Sequence, residues 1–219
     1  MKFLLDYFIQ KLLMMATKFS YADIRQKLIY ISNVLHRTQS QEKYISNADK
    51  WRCAPDDYRM YRNNIDCHEV FPNIIVGNAF AALSKSFLKD IGVTHVLNCA
   101  LNQFLNEVHL NEDYYRDTNI RFKGFELDDI CSENITRCFE EANNFIDDCL
   151  RNGGKILIHC LAGVSRSATI TIAYLMMRHA MTLEEAIKEV KQNRRICPNE
   201  GFLRQLVELD LMLNQQRHP

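Results

Sequence analysis

The sequence predicts an α/β fold: a central mixed, largely parallel β-sheet flanked by helices, with an N-terminal helical extension. Three observations lead there. From about residue 65, short apolar runs rich in β-branched residues alternate with segments of helical period, the order that builds parallel sheets. Turn residues bound those runs, at Pro72 and Asn73, at Gly92, and at Gly153 and Gly154. Before residue 65 the chain carries two helical stripes followed by a polar stretch, so an extension over 1–64 precedes a main domain over 65–219.

In the extension, residues 3–15 place Phe3, Leu4, Tyr7, Phe8 and Leu12 on one helical face. A second helix begins near Ser20, with Asp23 as its capping partner and Ile24, Leu28, Ile31 and Leu35 as its stripe. Such stripes suit packing on the main domain or on a second copy, so a homodimer through these helices is one expectation. Residues 36–64 read as a linker or wrapping segment. In the main domain, "EVFPNIIVGNA" reads as two strands broken at Pro72 and Asn73, "AALSKSFLKDIG" as a short helix, and "VTHVLNCA" as a strand. "NIRFKGFEL" alternates as another strand. A helix over "SENITRCFEEANNFIDDCLRNGG" turns Ile135, Phe139, Ala142 and Phe145 to one face, and "KILIHC" is a short buried strand. Three helical segments complete the domain, the second opened by a capping box between Thr182 and Glu185.

Composition narrows the function classes. Lys plus Arg and Asp plus Glu both total 27, so no global charge draws the chain to nucleic acid or an anionic membrane. Eight cysteines contain no C-x-x-C and no Cys/His spacing of the zinc-ligand kind, so neither a metal nor another cofactor is expected. The apolar start is interrupted by Asp6, Gln10 and Lys11 and lacks a small-residue cleavage site, which argues against a secretory signal. It is also too short and too charged to span a bilayer. Free thiols in a reducing compartment follow, the cytoplasm first and the nucleus second.

The chemistry concentrates in "KILIHCLAGVSRSATITIAYL", residues 155–175, where a strand runs through a loop into a helix. Cysteine followed six positions later by arginine occurs three times here, at Cys53, Cys131 and Cys160, so spacing alone decides nothing. Cys53 sits in "CAPDDYR", whose carboxylates repel an anion, and Cys131 in "CSENITR", which has no glycine. Between Cys160 and Arg166 lie Leu161, Ala162, Gly163, Val164 and Ser165, all uncharged. Their backbone N–H groups are free to turn inward as an anion nest, beside a helix N-terminus and a guanidinium fork. Those surroundings lower a thiol's pKa and turn Cys160 into a nucleophile inside an oxyanion cradle.

"HCLAGVSRS" resembles the H-C-x-x-G-x-x-R-S/T signature of cysteine-dependent tyrosine phosphatases, in the form of the dual-specificity branch. Over roughly residues 66–215, "VGNA", "GVTHVLN", "FEEANNFID", "AYLMMR" and "NRRICPNEGFLRQL" are similar to the small atypical dual-specificity phosphatases of the VHR type. The resemblance implies hydrolysis of phosphotyrosine and phosphoserine or phosphothreonine through a cysteinyl phosphate on Cys160. Arg166 and residues 161–165 would hold the phosphoryl oxygens. Ser167 would bond the departing sulfur, and His159 and Asn199 would support the loop. The general acid implied by the resemblance is Asp129, with its neighbour Asp128 the alternative. Arg194 and Arg195 form a candidate second phosphate site. The uncharged loop favours a phosphoprotein substrate, a phosphorylated kinase among the candidates, over a phosphoinositide. An adaptor that binds phosphoproteins with little turnover is the second reading. Cys99, ending its strand, is a candidate redox neighbour of Cys160.

Overall fold

A computed structural model of the chain describes residues 20–37, 64–102 and 110–217. The stripe expected over 3–15 and most of the polar stretch lie outside the described residues. The main sheet has five strands, β1 (Cys67–Phe71), β2 (Ile74–Gly77), β3 (His95–Asn98), β4 (Arg121–Gly124) and β5 (Ile156–His159), in the order β1-β2-β5-β3-β4. β1 is antiparallel to β2, through a turn in which Asn73 takes φ 63°, and every other pairing is parallel. Mixed and largely parallel is thus the observed architecture. β4 is shorter than the alternation over 119–127 suggested, although the backbone N–H of Phe125 still bonds the Asn98 carbonyl as the chain leaves the sheet.

The period of two decides which residues meet which layer. Ile74, Val76, Leu97, Ile156 and Ile158 face a core shared with α4 (Phe139–Arg151), α5 (Arg166–Arg178), α6 (Leu183–Asn193) and α7 (Glu200–Arg217). Ile75, Val96 and Leu157 face a smaller core with α2 (Ala79–Leu83), α3 (Lys85–Asp90) and Tyr115. Both faces are covered, which is why these strands read as unbroken apolar runs. In α4 the buried stripe runs through Phe139, Ala142, Ile146 and Cys149, and Phe145 sits half-buried at its edge, packed on the same core and edge-on to His95 at 5.3 Å. A 3₁₀ turn over Ile135–Cys138 precedes α4 and buries Ile135 and Cys138.

The described helix of the extension, α1 (Tyr21–Arg37), opens with reciprocal bonds between Ser20 and Asp23 and lies against α6 and α7. Its stripe is spent within the chain. Ile31 and Leu35 are buried in the larger core, Lys27 pairs with the buried Asp210 of α7, and the Tyr30 hydroxyl donates to Glu184 of α6 at 2.6 Å.

The registers set up the site. Gly77, His159, Asn98 and Gly124 stand level across β2, β5, β3 and β4, so the carboxyl ends of four parallel strands finish together. Ligands of open α/β sheets bind at that edge. Cys160 is the first residue beyond it. Ile31 is buried against the larger core, so Ile31→Ala should cost about 2–5 kcal/mol in urea unfolding; an unchanged midpoint would mean the helix contributes no burial.

Candidate active site

The loop from Cys160 to Ser165 closes on the N-terminus of α5, and its shape is dictated from outside. Each carbonyl from 161 to 164 is claimed by a donor behind the loop. The Ala79 N–H bonds the carbonyl of Leu161 at 3.0 Å, and the Cys197 N–H bonds that of Val164 at 2.8 Å. Arg194 donates Nη2 to Ala162 at 3.3 Å and Nε to Gly163 at 2.7 Å. With the carbonyls drawn outward, the intervening amides are left to face the interior of the turn, which is what an anion cradle requires. Gly163 makes the turn possible at φ +70°, and a Cβ there would sit 2.5 Å from the backbone of Gly77 and 2.7 Å from Arg194.

The thiol of Cys160 lies inside this turn, 1% exposed. Gly163 N–H points at Sγ from 3.2 Å and the Ser167 hydroxyl lies 3.4 Å away. Burial by itself pushes the thiol up. Hydrogen bonds from the hydroxyl and backbone N–H of Ser167, the charge of Arg166 and the Gly163 N–H outweigh it, so the net direction is down. Arg166 opens α5 with its side chain buried. Its Nη1 donates to the Leu127 carbonyl at 2.9 Å, which fixes the plane of the guanidinium. His159 is buried beneath the loop with Nδ1 3.2 Å from the Cys160 carbonyl. Burial lowers its pKa to about 4, partly offset by that carbonyl and reinforced by Arg166, so at neutral pH it is an uncharged donor bracing the strand end.

Asp129 arrives from the segment after β4 and is tethered to the same loop. Its Oδ1 accepts from the Ser165 hydroxyl at 2.7 Å and from Asn199 Nδ2 at 2.9 Å, and its Oδ2 lies 3.5 Å from Arg166 Nε. The Asn199 N–H in turn meets Ser165 Oγ at 3.3 Å, and Asn199 Oδ1 accepts from the Phe202 N–H at the start of α7. Asp128, exposed, donates its backbone N–H to Glu133. Asp129 is bonded to the loop through Ser165 and lies beside Arg166. Leu161 and Ala162 present exposed side chains at its rim, and Val164 is half-buried.

Arg194 requires a correction. It is 1% exposed, and besides the two loop carbonyls its guanidinium bonds Asp66 through Nη1 at 2.9 Å and Nη2 at 2.8 Å, with His68 Nδ1 2.9 Å from Nη1. With its donors committed inside the protein it offers no second phosphate contact. It is instead the clamp of the loop. Neither Asp66, His68 nor Ala79 was visible as part of the site in the sequence, because each acts from a position remote along the chain. Arg195 alone of the pair is exposed. Cys99 follows Asn98, the partner of His159, and its N–H bonds the His159 carbonyl at 2.7 Å, so the two cysteines leave adjacent strands side by side.

With this geometry in view, comparison with known proteins is direct. Residues 74–211 match the model of the dual specificity phosphatase catalytic domain. The chain belongs to the dual-specificity phosphatase family. Among solved structures it resembles the human tyrosine phosphatase-like serine/threonine/tyrosine-interacting protein, at 31% identity over 67% of this chain and 96% of that one, with a TM-score of 0.55. Human DUSP28 is similar at 27% identity, 66% and 94% coverage and a TM-score of 0.56. A mouse putative dual specificity phosphatase complexed with zinc tungstate is 28% identical, with 69% and 90% covered and a TM-score of 0.60.

Two outcomes test the electrostatics. Alkylation of Cys160 by iodoacetamide should reach half its maximal rate below the roughly 8.5 of an ordinary thiol, and Ser167→Ala should move that midpoint upward. Arg194→Met should strand two carbonyls at about 1–3 kcal/mol each, lowering the urea midpoint and weakening tungstate binding, with Arg194→Lys unable to restore both bonds.

Proposed function

We propose that this chain is a metal-independent protein phosphatase that hydrolyses phosphotyrosine and phosphoserine or phosphothreonine esters through a cysteinyl phosphate. The observation that carries the reading is the buried Cys160 sulfur, bonded by Gly163 and Ser167 beside Arg166, with an aspartate tethered to the same loop. In the first step the thiolate attacks phosphorus along the line of the leaving oxygen. The P–S bond forms as the P–O bond breaks, and the departing oxygen takes the proton of Asp129. Arg166 and the inward amides bear the charge on the equatorial oxygens. In the second step water attacks the phosphorus, Asp129 accepts its proton, and the Ser167 hydroxyl bonds the sulfur as it leaves.

A phosphoprotein suits this cradle better than an inositol headgroup, since Leu161, Ala162 and Val164 add no cation to the rim. A phosphorylated kinase falls within that class. The seven cysteines among the described residues are all unpaired, in keeping with a reducing compartment such as the cytoplasm or nucleus. A second reading, a phosphoprotein-binding adaptor, draws support from the similarity to the tyrosine phosphatase-like interacting protein.

Hydrolysis of a small aryl phosphate under reducing conditions, without added metal, separates the two. The parent should turn over while Cys160→Ser does not, and Asp129→Asn should lose about 10²- to 10⁴-fold in kcat. A well-folded parent that binds tungstate but releases no phosphate would give the lead to the adaptor.

A further inference from the structure

Asp129 sits in a segment, residues 125–134, that leaves the sheet after β4 and belongs to no helix or strand. Such a stretch holds a carboxyl group at a fixed height only if its backbone is tied down on both sides of it. On the upstream side Arg166 Nη1 holds the Leu127 carbonyl at 2.9 Å, and Arg137 Nη2 holds the Glu126 carbonyl at 2.5 Å. On the downstream side a half-buried side chain of α7 does the same. Gln205 Nε2 donates to the Glu133 carbonyl at 2.8 Å, and its Oε1 accepts from the N–H of Ile135 at 3.0 Å and of Thr136 at 3.4 Å. Those two amides open the 3₁₀ turn over Ile135–Cys138. The residue before it, Asn134, gives them no side-chain cap; its Oδ1 accepts from the Thr136 hydroxyl at 2.7 Å instead. The turn is therefore capped by a residue 70 positions away along the chain.

The same helix supports the segment at a second point. Gly201, one turn before Gln205, lies so close to Cys131 that a Cβ there would meet the Cys131 carbonyl oxygen at 2.0 Å and its Cα at 2.6 Å. Gln205 Nε2 also donates to the Gly201 carbonyl at 3.2 Å, which orients the amide on its own helix with the oxygen turned to the 3₁₀ turn. Glu133 carries the constraint back towards the carboxyl group. Its carbonyl is held by Gln205 while its Oε2 accepts from the Asp128 N–H at 3.2 Å, so a shift of Glu133 is felt at the peptide that leads into Asp129. We propose that Gln205 is a positioning residue for the general acid: by holding Glu133 and the amides of Ile135 and Thr136, it sets the height of the Asp129 carboxyl over the Cys160 loop. The proposal rests on the phosphatase reading, in which Asp129 gives its proton to the leaving oxygen as the P–O bond breaks. The bonds of the Gln205 side chain go to the backbone of this segment and of α7, not to the sulfur or the loop that surrounds it. Its loss should therefore be felt in proton delivery and not in phosphate binding.

The basicity of the leaving group separates this role from general support of the fold. Gln205→Met keeps the length of the side chain and removes its amide. With phenyl phosphate, whose leaving oxygen needs a proton, kcat in the full chain should fall about 10- to 100-fold, the cost of misplacing a reacting group by about 1 Å. With an aryl phosphate whose phenol is strongly acidic, and which departs without a proton, the change should stay below about threefold. Gly201→Ala favours the helix yet forces Cys131 aside, and should produce the same dependence on the leaving group. In an Asp129→Asn background, Gln205→Met should alter phenyl phosphate hydrolysis by less than about twofold, because the group it positions is already gone. Tungstate affinity and the alkylation rate of Cys160 should match those of the parent. Independently of turnover, amide hydrogen exchange over residues 126–138, followed by mass spectrometry, should quicken in Gln205→Met while that over 156–170 does not. Equal losses with both substrates, a loss that persists in full without the Asp129 carboxyl, or unchanged exchange would each overturn the proposal while leaving the phosphatase reading intact. A folded parent that hydrolyses neither substrate would sink the phosphatase reading and the proton-transfer role together, and quickened exchange would then leave Gln205 as the brace of a binding segment.

Discussion

The outward pull on four consecutive carbonyls is the constraint from which the site follows. A loop of uncharged residues has no intrinsic reason to turn its amides inward, because each peptide unit loses little by rotating when water serves either face. Here the carbonyls of residues 161 to 164 are bound on the far side by Ala79, Arg194 and Cys197. Rotating one unit would forfeit a bond in a place where water cannot replace it. Arg194 bears most of this load. A guanidinium holds two carbonyls and a carboxylate in one plane, which an ammonium cannot do. Asp66 supplies the charge balance that lets the arginine stay buried.

Within that frame, Cys160 shows how burial and activation coexist. Desolvation opposes a thiolate, and an apolar pocket of the same depth would leave the sulfur inert. The hydrogen bonds of Ser167 and Gly163 and the nearby Arg166 reverse the balance. Cys99, equally buried on the neighbouring strand but without such donors, is pushed well up. Two cysteines at one sheet edge therefore differ in reactivity because of their immediate donors rather than their depth.

How much of this was legible in the sequence depended on how local the interaction was. The strands were readable because both faces of the sheet are covered, which leaves short apolar runs between turn residues. The cradle was readable because Cys160, Gly163 and Arg166 fall within one turn of chain. Asp129 was chosen over Asp128 through the family resemblance, anchored on a helix expected from near Ile135, and its tether to Ser165 and Asn199 could not be read from the chain. The clamp was not readable. Arg194 and Asp66 lie 128 positions apart, and an arginine near a helix end looks the same whether it faces solvent or the back of a loop. Its burial is a property of the packed fold, and the reading of Arg194 as a surface cation failed for that reason.

Because the cradle is shaped through backbone carbonyls, the side chains at 161, 162 and 164 carry almost none of the burden of holding it. The side chains of Leu161 and Ala162 are exposed, and only the backbone of these residues enters the clamp. The chemistry and the surface that meets the substrate are thus written in separate parts of the same six residues. Substitution can redraw the rim, altering what is recognised, while the turn beneath it keeps its form. A site divided in this way leaves selection free to retarget what it recognises without rebuilding it.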